Sequence, residues 1–325
     1  MNKPDQNQQT IYDLYNYYNF PSLRIHSLYP KIIQSIENNI ITIISTKSGS
    51  GKSTQVPIFS YDLLSRKKNA FCIICTEPRA IACDTLNDYI ISINNKFRIY
   101  NNISGYHKTF EKKLFFLEES DLLKLLKEDP YLSKCDILIL DEVHERTMKL
   151  ELILYYMKYF TLSEENIQRG FKLILMSATF NSDGIYSYFS SMKENKFTFG
   201  FIDDRELTEG EEENYEIVYS DSINSNGLDC GNIKFKDLNM SKLIGEIIKI
   251  VRYEIYLNNN FNKTIIIFLP DYKTIYLLYN LLSKEYNNYT VHIYQFISSL
   301  SISQQNDLLY FNLLSCHKFE LLLKF

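Results

Sequence analysis

The chain has 325 residues, 45% of them hydrophobic and 23% charged, which are globular values with room for two domains of ordinary size. A net charge of -4 excludes a global basic field for nucleic acid, although a local basic groove suffices for such binding. The polar start "MNKPDQNQQT" lacks the apolar core of a secretory signal and no apolar run approaches the ~18 residues of a membrane span, so a soluble, intracellular protein with no membrane partner is expected, nucleus and cytoplasm being equally open.

After a polar segment at 1–20, short apolar runs alternate with helical stretches, the pattern of βαβ units around a parallel sheet. "IITIIS" (Ile40 to Ser45), "AFCIICT" (Ala70 to Thr76), "DILIL" (Asp136 to Leu140) and "KLILMSA" (Lys172 to Ala178) read as central strands, apolar on both faces. Between them "STQVPIFSYDLLSRK" and "EESDLLKLLKEDPYL" carry helical spacing, the second stopped near Pro130. Cys72 and Cys75 have a zinc-like spacing, but they sit inside an apolar strand with no second Cys/His pair, so reduced core thiols are expected. The acidic run "DDRELTEGEEENYE", Asp203 to Glu216, reads as a solvated connector within 201–235. A second α/β domain is expected over 236–325. It has a helix at "SKLIGEIIKIVRYEIYL", a strand at "KTIIIFLP", a helix at "YKTIYLLYNLLSKEY" and a strand at "TVHIYQF".

The stretch "STKSGSGKST", Ser45 to Thr54, ends like a phosphate-binding loop, G-x-x-x-x-G-K-[ST], but Thr46 takes the place of the first glycine. In such a loop a strand enters a tight turn whose backbone N–H groups surround a phosphate at a helix N-terminus. Ser48, Gly49, Ser50, Gly51, Lys52, Ser53 and Thr54 are the candidate nucleotide contacts, with Lys52 on the β- and γ-phosphates and the Ser53 hydroxyl on Mg²⁺. The first glycine mainly eases the turn, so Thr46 costs backbone freedom rather than a ligand. A Ser/Gly-rich surface loop before an ordinary helix is the bland alternative.

"ILILDEVHERT" supplies the acidic partner that such a loop needs. Its apolar run ends in Asp141-Glu142, at the strand edge where α/β proteins bind ligands. Asp141 can hold Mg²⁺, and Glu142 can orient and deprotonate an attacking water. A lone Asp-Glu pair would otherwise be a helix cap with a solvated Glu.

These residues make the chain resemble a DEAH-box (DExH) RNA helicase of superfamily 2. "SGSGKSTQVP" is similar to the family's first motif, "TEPRAIA" (Thr76 to Ala82) to its Thr-Gln-Pro-Arg-Arg motif and "DEVHER" (Asp141 to Arg146) to its Asp-Glu-x-His-Glu-Arg signature. "MSAT" (Met176 to Thr179) resembles the third motif, "FLPD" (Phe268 to Asp271) the fourth, and "SSLSISQQ" (Ser298 to Gln305) the serine-rich segment after it. "LRIHSLYPKIIQSIENN" resembles the family's lead-in.

The resemblance implies an α/β fold: a RecA-like P-loop NTPase domain with a parallel sheet at 21–200, followed by an incomplete second RecA-like domain. It implies ATP and Mg²⁺ as cofactors and RNA as the partner, bound by its backbone without sequence reading, with a helicase-activating protein as a further partner. Lys52, Asp141, Glu142 and His144 take catalytic roles, with His144 bridging nucleotide and helicase motifs. Ser53 and Asp141 hold the metal. Ser177, Thr179 and Arg146 couple hydrolysis to movement, and Thr76, Pro78 and Arg79 meet RNA.

Departures from the family pattern carry chemistry too. Ala80 replaces a second arginine, and Glu118 and Ser120 stand where a threonine and a glycine lie next to the RNA backbone, so a carboxylate would repel a phosphate there. Asp271 replaces a glycine and Ile297 a histidine. The fifth and sixth motifs do not follow "KFELLLKF", and Arg252 is the only arginine after the connector. The expectation is therefore a front part of an ATP-dependent RNA helicase that hydrolyses weakly by itself, with "FELLLKF" an uncovered strand edge. The alternatives are a non-catalytic RNA- or protein-binding remnant and another P-loop ATPase, against which "DEVHER" with "MSAT" argues.

Overall fold

A computed structural model of the chain describes residues 23–93, 98–103, 106, 111–178, 182–190, 197–203, 240–257, 264–269, 271–286, 291–296 and 319–324. Two compact units divide it, Met1–Glu211 and Glu212–Phe325.

The first unit opens with a 3-10 turn at Arg24–Leu28 and then alternates helix and strand. Its helices are α1 (Tyr29–Asn38), α2 (Lys52–Lys67), α3 (Ala80–Ile93), α4 (Glu119–Glu128), α5 (Met148–Tyr156), α6 (Glu164–Gln168) and α7 (Ser182–Ser190). The strands are β1 (Ile41–Ser45), β2 (Phe71–Glu77), β3 (Ile99–Tyr100), β4 (Lys112–Glu118), β5 (Ile137–Leu140), β6 (Lys172–Ser177) and β7 (Phe199–Asp203). They form one seven-stranded sheet in the order β3-β4-β2-β5-β6-β1-β7. Every pairing is parallel. This is the parallel α/β sheet of a RecA-like domain.

The apolar runs are continuous because each strand feeds two cores. Ile73 and Cys75 of β2, Ile137 and Ile139 of β5, and Ile174 and Met176 of β6 join Ile32, Val56 and Phe59 on one face. The intervening Cys72, Ile74, Leu138, Leu140, Leu173 and Leu175 join Leu122, Leu125, Ile153 and Phe189 on the other. A strand puts successive side chains on opposite faces, so burial on both sides demands apolar residues at every step. The same alternation places Cys72 and Cys75 in different cores, where they cannot share a metal ion. Among the described residues no group of three or more His, Cys, Asp and Glu is arranged to hold one.

Close packing fixes the far edge of the sheet. A Cβ on Gly200 of β7 would meet Ser35 Oγ of α1 at 1.8 Å, so only glycine lets helix and strand approach this closely. Ser35 and Thr42 of β1 share a hydrogen bond of 3.1 Å beneath that contact.

The second unit contains α8 (Met240–Leu257), β8 (Thr264–Phe268), α9 (Tyr272–Glu285), β9 (Val291–Phe296) and β10 (Phe319–Lys324). Asp271 caps α9, its carboxylate accepting from the Thr274 N–H at 2.8 Å, which accounts for an acid where the resemblance has glycine. Its parallel sheet runs β8-β10-β9. The expectation of an uncovered edge at "FELLLKF" is corrected here: β10 is the central strand, paired from Glu320↔Thr264 on one side and from Phe319↔Val291 on the other. Its apolar sequence suits a middle position with both hydrogen-bonding edges used. The serine-rich segment 298–305, Ile297, the polar start and nearly all of the acidic connector lie outside the described residues. Among the described residues, no helix is long and apolar enough to cross a membrane.

Candidate functional site

Strand β1 ends at Ser45 and the chain turns through Thr46–Gly51 into α2. Gly49 and Gly51 have φ of +78° and +95°, the left-handed region that favours glycine. Thr46 is absent from the non-glycine residues of positive φ, which among the described residues are Leu132, Glu142 and Arg146. Its backbone therefore needs no glycine. Its buried hydroxyl shares a hydrogen bond of 2.8 Å with Ser50 across the loop, and its N–H donates to the Ser177 carbonyl at the end of β6.

The lead-in braces this loop from below. Ile25 N–H donates to the Ser50 carbonyl, and Leu23 and Ile25 pack under Gly51. His26 Nε2 lies 3.0 Å from Gln55 Oε1 on α2, and burial pulls the His26 pKa down. Ser48 and Gly49 stay exposed at the mouth. Thr54 points its hydroxyl back to the Gly51 carbonyl at 3.0 Å, closing the first turn of α2.

Lys52 is 4% exposed, and its Nζ lies 3.5 Å from Glu142 Oε1. The other Glu142 oxygen lies 3.2 Å from His144 Nδ1. Glu142 and Arg146 flank a 3-10 turn, Val143–Glu145, and both adopt left-handed backbone, φ/ψ 50°/39° and 48°/43°. The left-handed residue at Glu142 turns the chain sharply just beyond β5, where its side chain meets Lys52.

Asp141 is 1% exposed. Its Oδ1 accepts the Glu142 N–H at 2.7 Å, while its buried Oδ2 has no hydrogen-bond partner. Burial raises its pKa, and the nearby Ser53 hydroxyl opposes that rise. An orphaned carboxylate oxygen beside a serine hydroxyl fits a hard divalent cation, which takes oxygen ligands.

Glu77 is a member of this site that the sequence reading did not single out. It ends β2, is 4% exposed, and leaves Oε1 without a partner. Burial first, and Asp141 second, push its pKa up to about 9. The signal was present, since "TEPRA" has glutamate where the resembled motif has glutamine.

The residues assigned to RNA and coupling are placed as follows. Thr76 is buried, its hydroxyl 3.4 Å from the Ile139 carbonyl, whereas Pro78 is half-buried and Arg79 exposed with Nη2 3.7 Å from Glu145 Oε1. Ser177 is buried at the end of β6. Arg146 is exposed and pairs with Glu151 at 2.8 Å. Thr179 lies outside the described residues.

The DEAD/DEAH box helicase family profile matches residues 29–186, from the start of α1 into α7. The chain carries a DEAD/DEAH-box helicase domain. The chain is similar to the ATP-dependent DNA/RNA helicase DHX36 of Homo sapiens, 29% identical over 175 residues, covering 51% of this chain and 17% of that protein. It is also similar to the ATP-dependent RNA helicase TDRD9 of Rattus norvegicus, 26% identical over 322 residues, covering 89% of this chain and 22% of that one. The Escherichia coli DEAH/RHA helicase HrpB shares its fold, with a TM-score of 0.62 at 19% identity over 93% of this chain and 34% of that one. The chain with its helicase domain thus spans about a fifth of the length of these two curated relatives.

Proposed function

We propose that the chain is the part of an ATP-dependent RNA helicase of the DEAH-box type that binds and hydrolyses ATP, with a first RecA-like domain at 21–200 and a second within 236–325. The observation that carries this reading is the convergence of Lys52, at the start of α2, with Glu142, beyond β5, at one edge of the sheet.

In this reading the backbone N–H groups of Ser48 to Ser53 and the N-terminus of α2 surround the phosphates, and Lys52 exchanges Glu142 for the β- and γ-phosphate oxygens. Ser53 and Asp141 hold Mg²⁺, which when bound offsets charge on the phosphates. Glu142, released from Lys52 and steadied by His144, accepts the proton of the attacking water. The leaving product is ADP with inorganic phosphate. Ser177, Thr179 and Arg146 pass the change in nucleotide to the rest of the protein, and Arg79, with Thr76 and Pro78, meets the RNA backbone.

The test is equilibrium binding of a fluorescent ATP analogue with Mg²⁺ or with EDTA, followed by single-turnover hydrolysis with and without single-stranded RNA. Saturable, Mg²⁺-dependent binding is expected. A chain that binds no nucleotide under either condition overturns the reading.

A further inference from the structure

Glu118 poses a problem for RNA binding that the structure answers in an unexpected way. It is the last residue of β4, in register with Glu77 at the end of β2, and Arg79 follows two residues beyond β2. A bare carboxylate at that edge would repel a phosphate. Glu118 is not bare, because Lys149 Nζ lies 2.8 Å from its Oε1. Both side chains remain open to solvent, at 46% for Lys149 and 28% for Glu118.

Lys149 stands in the first turn of α5, where a helix dipole favours anions, so its ammonium is held there by the carboxylate rather than by the helix. Arg79 faces Glu145 in the same manner. Cations suited to a polyanion are therefore present along this edge and are matched by acids of the same chain.

We propose that Lys149 is a phosphate-contact residue of the single-stranded RNA path and that Glu118 is its internal competitor. In the absence of RNA the carboxylate occupies the ammonium, and a backbone phosphate takes its place on binding. The pair has zero net charge, so it neither repels RNA nor binds it as tightly as the Lys149 ammonium would alone. Glu118 in this way sets how much affinity the first domain contributes. The inference rests on the RNA-binding reading above and adds a residue and a direction to it.

The experiment is fluorescence anisotropy of a labelled single-stranded oligouridylate titrated with the chain at low and at high NaCl. The variants are Glu118→Gln, Lys149→Ala, the two combined, Arg79→Ala and Glu37→Gln, each first shown to melt like the parent. Glu37 supplies the control because it holds Lys67 at 2.6 Å in an exposed pair near the opposite edge, where Lys172 of β6 reaches the Glu37 carbonyl.

Glu118→Gln should tighten binding about 2- to 5-fold at low salt, the range of an exposed ion pair, and steepen the salt dependence by about one phosphate contact. Lys149→Ala should weaken binding by uncovering Glu118. The double variant should return to the parent, and Glu37→Gln should match the parent.

If Arg79→Ala weakens binding while Glu118→Gln does nothing, or if the double variant keeps the gain, this inference is wrong and the RNA reading stands. If Arg79→Ala is silent as well, or if neither the parent nor Glu118→Gln binds, both fall. A gain from Glu37→Gln equal to that from Glu118→Gln would show net charge acting at a distance and also overturns it.

Discussion

Lys52 Nζ lies 3.5 Å from Glu142 Oε1, so the cation of the loop and the carboxylate beyond β5 neutralise each other when no nucleotide is bound. In the proposed reading, a phosphate that reaches Lys52 displaces this carboxylate and frees it to act as a base. Nucleotide arrival and base release would then be one event.

Lys52→Ala removes the cation that, in the proposed reading, meets the phosphates. Affinity for a fluorescent ATP analogue should fall by about 10- to 100-fold, the range of a charge-assisted hydrogen bond. Equal affinity in variant and parent would remove Lys52 from the cradle.

Glu142→Gln keeps the shape but cannot accept a proton. Nucleotide affinity should stay within a few-fold of the parent, while single-turnover hydrolysis drops ~10²- to 10⁴-fold. Unchanged turnover in this variant would move the base to another residue.

Gly51→Ala places a Cβ at φ +95° and 2.8 Å from Leu23 Cδ1. Leu23 can yield because its far end is flexible, but the left-handed backbone cannot. We expect a loss of about 1–2 kcal/mol in urea unfolding, together with weaker nucleotide binding. A variant as stable as the parent would mean that the loop relaxes without cost.

Glu77 holds a proton in the folded chain up to about pH 9, whereas in the unfolded chain it releases the proton near the ordinary glutamate value of 4.5. Its folded pKa is raised, so its contribution is full below the unfolded pKa and is lost as pH climbs through the folded one. Between those limits stability should fall with pH, by as much as ~1.4 kcal/mol per unit. Glu77→Gln should flatten that slope and stabilise the nucleotide-free chain at pH 8, as read by chemical unfolding in EDTA. Parallel pH profiles for the two proteins would exclude the effect.

The central strands were readable because burial on two faces leaves no room for polar residues, as in "FCIIC" and "LILM". Strand β4, "KKLFFLE", is equally apolar within, but it runs straight into the acidic "EES" that begins α4, and the sequence reading places no strand there. Strands β3 and β7 carry less signal, since β3 has two residues and β7 buries only Ile202 fully.

Within the site, spacing placed Lys52 and Glu142 at the same sheet edge, and they do meet. The brace from His26 to Gln55, the depth of Glu77 and the pairing of Glu118 with Lys149 could not be read in this way. Each joins residues distant in sequence through tertiary packing, and no local pattern records which partner the fold supplies.

The left-handed backbone at Glu142 and Arg146 limits which residues the segment Asp141–Arg146 can carry, whatever their chemistry. A branched Cβ crowds its own carbonyl in that conformation, whereas glycine, asparagine and aspartate tolerate it. In a saturation library sorted only for soluble expression, with no demand for activity, positions 142 and 146 should still discard valine, isoleucine and threonine and retain glycine and asparagine. Neighbouring His144, whose backbone is ordinary, should tolerate far more. Shape would then prune the repertoire at these two positions before catalysis has been asked for.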